Sequence, residues 1–147
     1  MITAGYRKHV RLKHYDYSSN GYYFVTICCS GRAKLCLNYK EIIENCLRNL
    51  EKHEGVRLDY YKLMPEHLHF ILALEEVKLP LCRYIQDFKA KTTSGVKKSG
   101  FMGKRFWQPN YCEHIIRNEK RLEKIREYIE NTPFQEKLYW ARLDKQG

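Results

Sequence analysis

The order of apolar patterns in this 147-residue chain predicts an α+β fold: a ferredoxin-like split βαβ arrangement with an antiparallel sheet and one further C-terminal helix. Three observations carry that expectation. A dense aromatic and β-branched run occupies residues 22–29. Two more strand-like runs are separated only by the short Met64-Pro65-Glu66 link, which makes them antiparallel neighbours. Helical periodicity follows the first strand, the third and the last, giving the order strand, helix, strand, strand, helix, strand, helix. Two helices can cover one sheet face, leaving the other for a site or for the last helix.

Residues 1–20 are basic and polar, with Arg7, Lys8, Arg11 and Lys13 before the turn-forming Asp16-Tyr17-Ser18-Ser19-Asn20-Gly21, and read as an N-terminal arm. Tyr22 to Cys29 suits a buried strand by its length and side chains. From Tyr39 to Glu54, Ile42, Ile43, Cys46, Leu47 and Leu50 recur at helical spacing, with charged residues between them. Val56 to Leu63 and His67 to Leu74 are the next strands, punctuated by Pro65. Leu79 to Lys98 carries Pro80 at its start and Leu81, Tyr84, Ile85 and Phe88 on one helical face. Gly95, Gly100 and Gly103 mark a basic connection to a short strand over Tyr111 to Arg117. Asn118 is placed to cap a last helix that buries Leu122, Ile125 and Ile129 and runs to about Thr132, where Pro133 ends it.

The length suits a single domain, residues 1–147, able to bury a core without disulfides. Lys and Arg number 27 against 17 Asp and Glu, a net charge of +10, which points to a polyanionic partner. Twelve tyrosines add possible stacking surfaces for unpaired bases. The six cysteines form no C-x-x-C element and read as reduced, mostly buried thiols, and no cysteine set supports a closed zinc site. There is no leader-like apolar segment and no membrane-length run, so no membrane association is expected and the cytoplasm is the default location.

Chemistry concentrates in Met64-Pro65-Glu66-His67-Leu68-His69-Phe70. Strand alternation puts His67 and His69 on one face and Leu68, Phe70, Leu72 and Leu74 on the other, so the two imidazoles face away from the core and can grip one metal ion. Two imidazoles alone bind weakly, and a third donor has to come from elsewhere. On the last helix, Tyr128 borders the apolar stripe, with Asn131 and Thr132 within one turn of it. By pattern alone Tyr128 reads as a tyrosine at the core edge.

Taken together, four blocks resemble the REP-associated tyrosine transposases, relatives of the single-tyrosine HUH transposases. They are Arg11-Leu12-Lys13-His14-Tyr15-Asp16-Tyr17 with Tyr23-Phe24-Val25-Thr26-Ile27-Cys28; the His67/His69 segment; residues 107–118, from Trp107-Gln108-Pro109 through Glu113-His114 to Asn118; and Arg126-Glu127-Tyr128-Ile129-Glu130-Asn131-Thr132-Pro133. The resemblance implies an HUH nuclease fold with Tyr128 as nucleophile and His67 and His69 holding a divalent metal, Mg²⁺ or Mn²⁺. It implies nicking and strand transfer of single-stranded DNA at hairpin-associated repeats, through a covalent 5′-phosphotyrosine. The family commonly has Asn or Gln four residues after the tyrosine as a further ligand. Thr132 stands there in this chain, with Asn131 or the Thr132 hydroxyl as substitutes.

His114 and Glu113 are candidates to steady the site, and Tyr111 is a competing nucleophile held on a strand. Arg11, Lys13, Lys89, Lys91, Lys97, Lys98, Lys104, Arg105, Arg117 and Arg126 are candidate phosphate contacts, and Phe106 and Trp107 candidate stacking residues, Trp107 being better suited to the core. The partner expected is single-stranded or hairpin DNA, bound by a monomer or a homodimer. A noncatalytic nucleic-acid-binding domain of the same fold is the alternative. An RNA-binding domain of the RRM type fits less well, because no RNP1 aromatic block is present.

Overall fold

Strand β1 (Gly21–Cys28) takes the middle of the sheet, where both faces are covered, and its apolar run answers that demand: Tyr23 to Ile27 are all buried. The computed structural model describes residues 16–32 and 35–131, so Arg11 and Lys13 of the arm and Thr132 lie outside the described residues. Around β1 stand β2 (Val56–Leu63), β3 (His67–Leu74) and β4 (Cys112–Ile116), in the order β2-β3-β1-β4 with every pairing antiparallel. That order and the expected α+β ferredoxin-like architecture agree.

One face of the sheet carries α1 (Lys40–Asn49) and α2 (Leu81–Lys98). Ile43 and Leu47 of α1, and Leu81, Tyr84, Ile85, Phe88 and Val96 of α2, pack on Val25, Ile27, Leu68, Phe70 and Leu72. Phe106 and Trp107 complete this core, 0% and 3% exposed, and the Trp107 indole N–H donates to Thr92 Oγ1 at 2.6 Å. Both are therefore structural, and neither is open for stacking on bases. The expected helix over residues 39–54 is shorter than its pattern, with 3₁₀ turns at Cys36–Tyr39 and Leu50–Lys52 flanking α1. All six cysteines are free thiols, Cys29, Cys36 and Cys112 buried and the rest partly so.

The opposite face is covered by α3 (Glu119–Asn131). Asn118 caps it as expected, its Oδ1 accepting from Arg121 N at 2.9 Å. Leu122, Ile125, Tyr128 and Ile129 of α3 form a second, smaller core with Phe24, Ile71, Cys112 and Ile116. The histidine face thus looks into a packed layer rather than into solvent, and His69 is fully buried.

A β-bulge in β2 decides which side chains reach that layer. Leu58 pairs with Leu72 and Tyr60 with Ile71, which leaves Asp59 as the extra residue and reverses the alternation beyond it. Leu58 therefore faces α1 and α2, as do Tyr61 and Leu63 after the bulge, whereas Tyr60 and Lys62 turn toward α3.

Candidate active site

All four strands contribute to the site. Cross-strand pairs share a face, so His69 on β3 lies between Thr26 on β1 and Lys62 on β2, and His67 lies beside Cys28. On β4, Cys112 is opposite Thr26 and His114 opposite Phe24. The His67 and His69 rings stand 4.6 Å apart at 68°, close enough for two nitrogens to converge on one ion. His67 is half-buried at the strand's start.

From above, α3 brings Tyr128 down on this face. Spacing of three from Ile125 puts Tyr128 on the buried stripe, and its ring lies edge-on to His69 at 5.6 Å and to Phe24 at 6.1 Å. Phe24 is the hub of the cluster, also 5.6 Å from His69 and 6.2 Å from His114. Tyr128 is 1% exposed, and its hydroxyl is shut off from solvent together with Nε2 of both histidines. A phosphate can reach these three atoms only when whatever covers them moves aside locally.

Thr26, which the sequence pattern did not single out, holds His69 in orientation: its Oγ1 lies 2.8 Å from His69 Nδ1 in a buried hydrogen bond. In the tautomer whose Nδ1–H donates to Thr26 Oγ1, His69 Nε2 carries the lone pair that a metal needs. A signal was present in the sequence, a polar residue in an otherwise apolar strand. An imidazole nitrogen pair can hold a divalent ion, and its donor chemistry fits an open site with positions left for other oxygens. Among the described residues no group of three or more His, Cys, Asp or Glu side chains stands ready to hold a metal. His67 and His69 are the two imidazoles of the expected site that the described chain brings together.

The remaining candidates divide by face. Strand alternation turns Glu113 to the side opposite His114, where it is 7% exposed, so the two do not act on one site. His114 stays on the histidine face, with Nε2 3.5 Å from Cys112 Sγ. Tyr111 is buried in the α1/α2 core, separated from His67 and His69 by the sheet. Asn131 is the exposed last residue of α3.

Of the basic residues, Lys89 is held by the carbonyls of Gln108 and Pro109 at 2.7 and 3.1 Å, and Lys91 pairs with Asp87 at 3.1 Å. Arg126 is bound bidentately to Asp59, and this carboxylate raises the guanidinium pKa further above its usual value against a small opposing effect of burial. Lys97, Lys98, Lys104, Arg105 and Arg117 are exposed. Lys62, absent from the sequence candidates, is brought to the histidine face by the bulge, and its Nζ donates to the Glu130 carbonyl at 3.0 Å.

The chain is similar to known proteins. The family model described as IS200-like transposase matches residues 17–132, a span that holds β1 to β4, the histidine pair and Tyr128. An uncharacterized protein of Haemophilus influenzae is 36% identical over 169 aligned positions, covering 91% of this chain and 93% of its own length. The REP-associated tyrosine transposase of Escherichia coli K12 is 24% identical, covering 80% of this chain and 68% of its own. A solved structure of a REP-associated tyrosine transposase bound to a REP hairpin aligns with a TM-score of 0.72 at 22% identity, covering 86% of this chain and 74% of the other.

Proposed function

The chain belongs to the IS200-like transposase family, and from that premise we propose that it nicks and rejoins single-stranded DNA at hairpin-associated repeats through a covalent bond to Tyr128. The observation that carries this reading is the convergence of two distant motifs: the Tyr128 ring packs 5.6 Å from His69, itself 4.6 Å from His67. The named relative and the hairpin-bound structure supply the substrate class. The whole chain then serves as one catalytic domain, with its excess positive charge on the DNA backbone.

A free phenol has a pKa of about 10 and is a weak nucleophile at neutral pH, so its surroundings must help it. A divalent cation, Mg²⁺ or Mn²⁺, held by His67 and His69 would polarise the scissile phosphate when bound. Thr26 fixes the His69 ring for that task, and Phe24 holds His69 and Tyr128 against one another. The packed layer under α3 excludes water, which favours transfer to tyrosine over hydrolysis. Tyr128 Oη attacks phosphorus in line and gives up its proton. The bond from phosphorus to the 3′ oxygen breaks, that oxygen leaves as a hydroxyl, and the 5′ phosphate stays on Tyr128. Reversal by another 3′-hydroxyl rejoins the strand with no outside energy source.

The test is a labelled single strand bearing a hairpin, incubated with the protein and Mg²⁺ or Mn²⁺ and resolved under denaturing conditions. The native chain is expected to form a covalent adduct and Tyr128→Phe none, with hairpin binding kept. An adduct that persists in Tyr128→Phe removes Tyr128 from the role. The burial of the Tyr128 hydroxyl favours a second reading, a domain that binds DNA without cleaving it. It predicts salt-sensitive hairpin binding and no adduct under any metal.

A further inference from the structure

The bulge residue Asp59 faces α3 and makes the best-defined ionic contact on that helix. Its side chain is 6% exposed, and Arg126 grips it with both arms of the guanidinium, Nε to Oδ2 at 2.9 Å and Nη2 to Oδ1 at 2.6 Å. Arg57 stands on the other side of the carboxylate, Nη1 to Oδ1 at 3.6 Å, and is itself fixed by donating to Tyr22 Oη at 2.9 Å. Three residues along β2, Lys62 donates to the Glu130 carbonyl at 3.0 Å. Both contacts start on β2, and they land on α3 at residues 126 and 130, two positions either side of Tyr128.

We propose that Asp59 is a positioning residue for Tyr128: the Asp59–Arg126 fork, with Lys62 as its second point, sets the register of α3 over the histidine pair. This rests on the reading of Tyr128 as the nucleophile. A helix that opens to admit a phosphate has to return to one register before in-line attack, and a misplacement near 1 Å costs up to about 10²-fold in rate. Apolar contacts such as those of Ile125 and Ile129 are non-directional and define a register less sharply. A bidentate fork defines it more sharply, since both N–H···O bonds form together in one geometry. The bulge is what lets both contacts form: in an unbroken alternation Asp59 and Lys62, three residues apart, would face opposite sides of the sheet, whereas the extra residue leaves both turned toward α3.

The experiment uses the full chain, the hairpin-bearing single strand and Mn²⁺, with Asp59→Asn, Asp59→Glu and the more exposed Arg126→Gln. In Asp59→Asn and Arg126→Gln the rate of adduct formation at saturating DNA is expected to fall about tenfold or more, while the half-saturating DNA concentration stays within about twofold. Asp59→Glu, which keeps the charge and both oxygens, is expected to recover most of the rate. Hydrogen exchange, read in parallel without DNA, should quicken in the α3 amides of Asp59→Asn and remain native in β1 and β3. A saturated rate in Asp59→Asn and Arg126→Gln equal to or above the native one overturns the proposal. If the native chain forms no adduct, the reading of Tyr128 falls and exchange alone judges the clasp: unchanged α3 protection overturns it, faster exchange upholds it.

Discussion

Thr26 controls what His69 can offer. Its hydroxyl is the partner of Nδ1 in the buried layer, so Thr26→Val keeps the shape and leaves a buried ring nitrogen without that bond, a loss of about 1–3 kcal/mol. Urea unfolding should show it as a lower midpoint at constant slope. Because the ring is also freed to turn, Mn²⁺ affinity measured by electron paramagnetic resonance is expected to fall about 10–100-fold, and Thr26→Ser to restore much of it. At this scale the sequence was readable where one motif carries its own geometry. His67 and His69 share a face by alternation alone, whereas Tyr128 reads from its pattern only as a tyrosine at the core edge and joins the site through the family resemblance. Thr26 and Lys62 were not readable, because their roles depend on which residue stands across the strand pair. The opposite placement of Glu113 and His114 is alternation again, now separating two neighbours that looked like one unit.

Among the elements, β2 to β4 were legible nearly to the residue, since strands with an apolar face and a proline between them leave little freedom. The helix ends were less so. Residues 50–54 continue the helical pattern in sequence, but the chain tightens into a 3₁₀ turn and then reverses at Gly55, which has φ of +82°. A Cβ there would meet the Glu75 carbonyl oxygen at 2.2 Å, in a turn already joined by Glu75 N–H to the Gly55 carbonyl. Gly55→Ala is therefore expected to cost about 1–3 kcal/mol from backbone strain alone, with a further penalty from the clash. Thermal melting should report the loss. The β2 bulge also escaped the sequence reading: VRLDYYKL read as a regular strand gives one alternation, whereas the structure uses two, joined at Asp59. The charged residue in mid-strand was the trace of it.

On the scale of the molecule, positive charge that is committed inside the fold differs from charge left for a partner. Lys89, Lys91 and Arg126 are engaged with protein groups, whereas Lys97 and Lys98 at the end of α2 are exposed. If these two contact backbone phosphates, Lys97→Gln with Lys98→Gln should weaken hairpin binding at low salt. The slope of log affinity against log salt should flatten by roughly 1 to 2, read by fluorescence anisotropy over a salt series. The overall topology was legible because the order of elements admits few arrangements, and the charge balance pointed to a polyanionic partner. What composition cannot encode is which lysine ends up beside a carboxylate. The central place of β1 has one more effect, on the chain as it is made. Thr26 meets His69 across 43 residues, so at ordinary translation rates β1 waits roughly 2 to 9 s for the first strand that can cover its edge. Through that interval Tyr22 to Cys28, an apolar segment with both edges open, is exposed on the nascent chain. The order of synthesis therefore leaves the central apolar strand to be covered by one that is made after it.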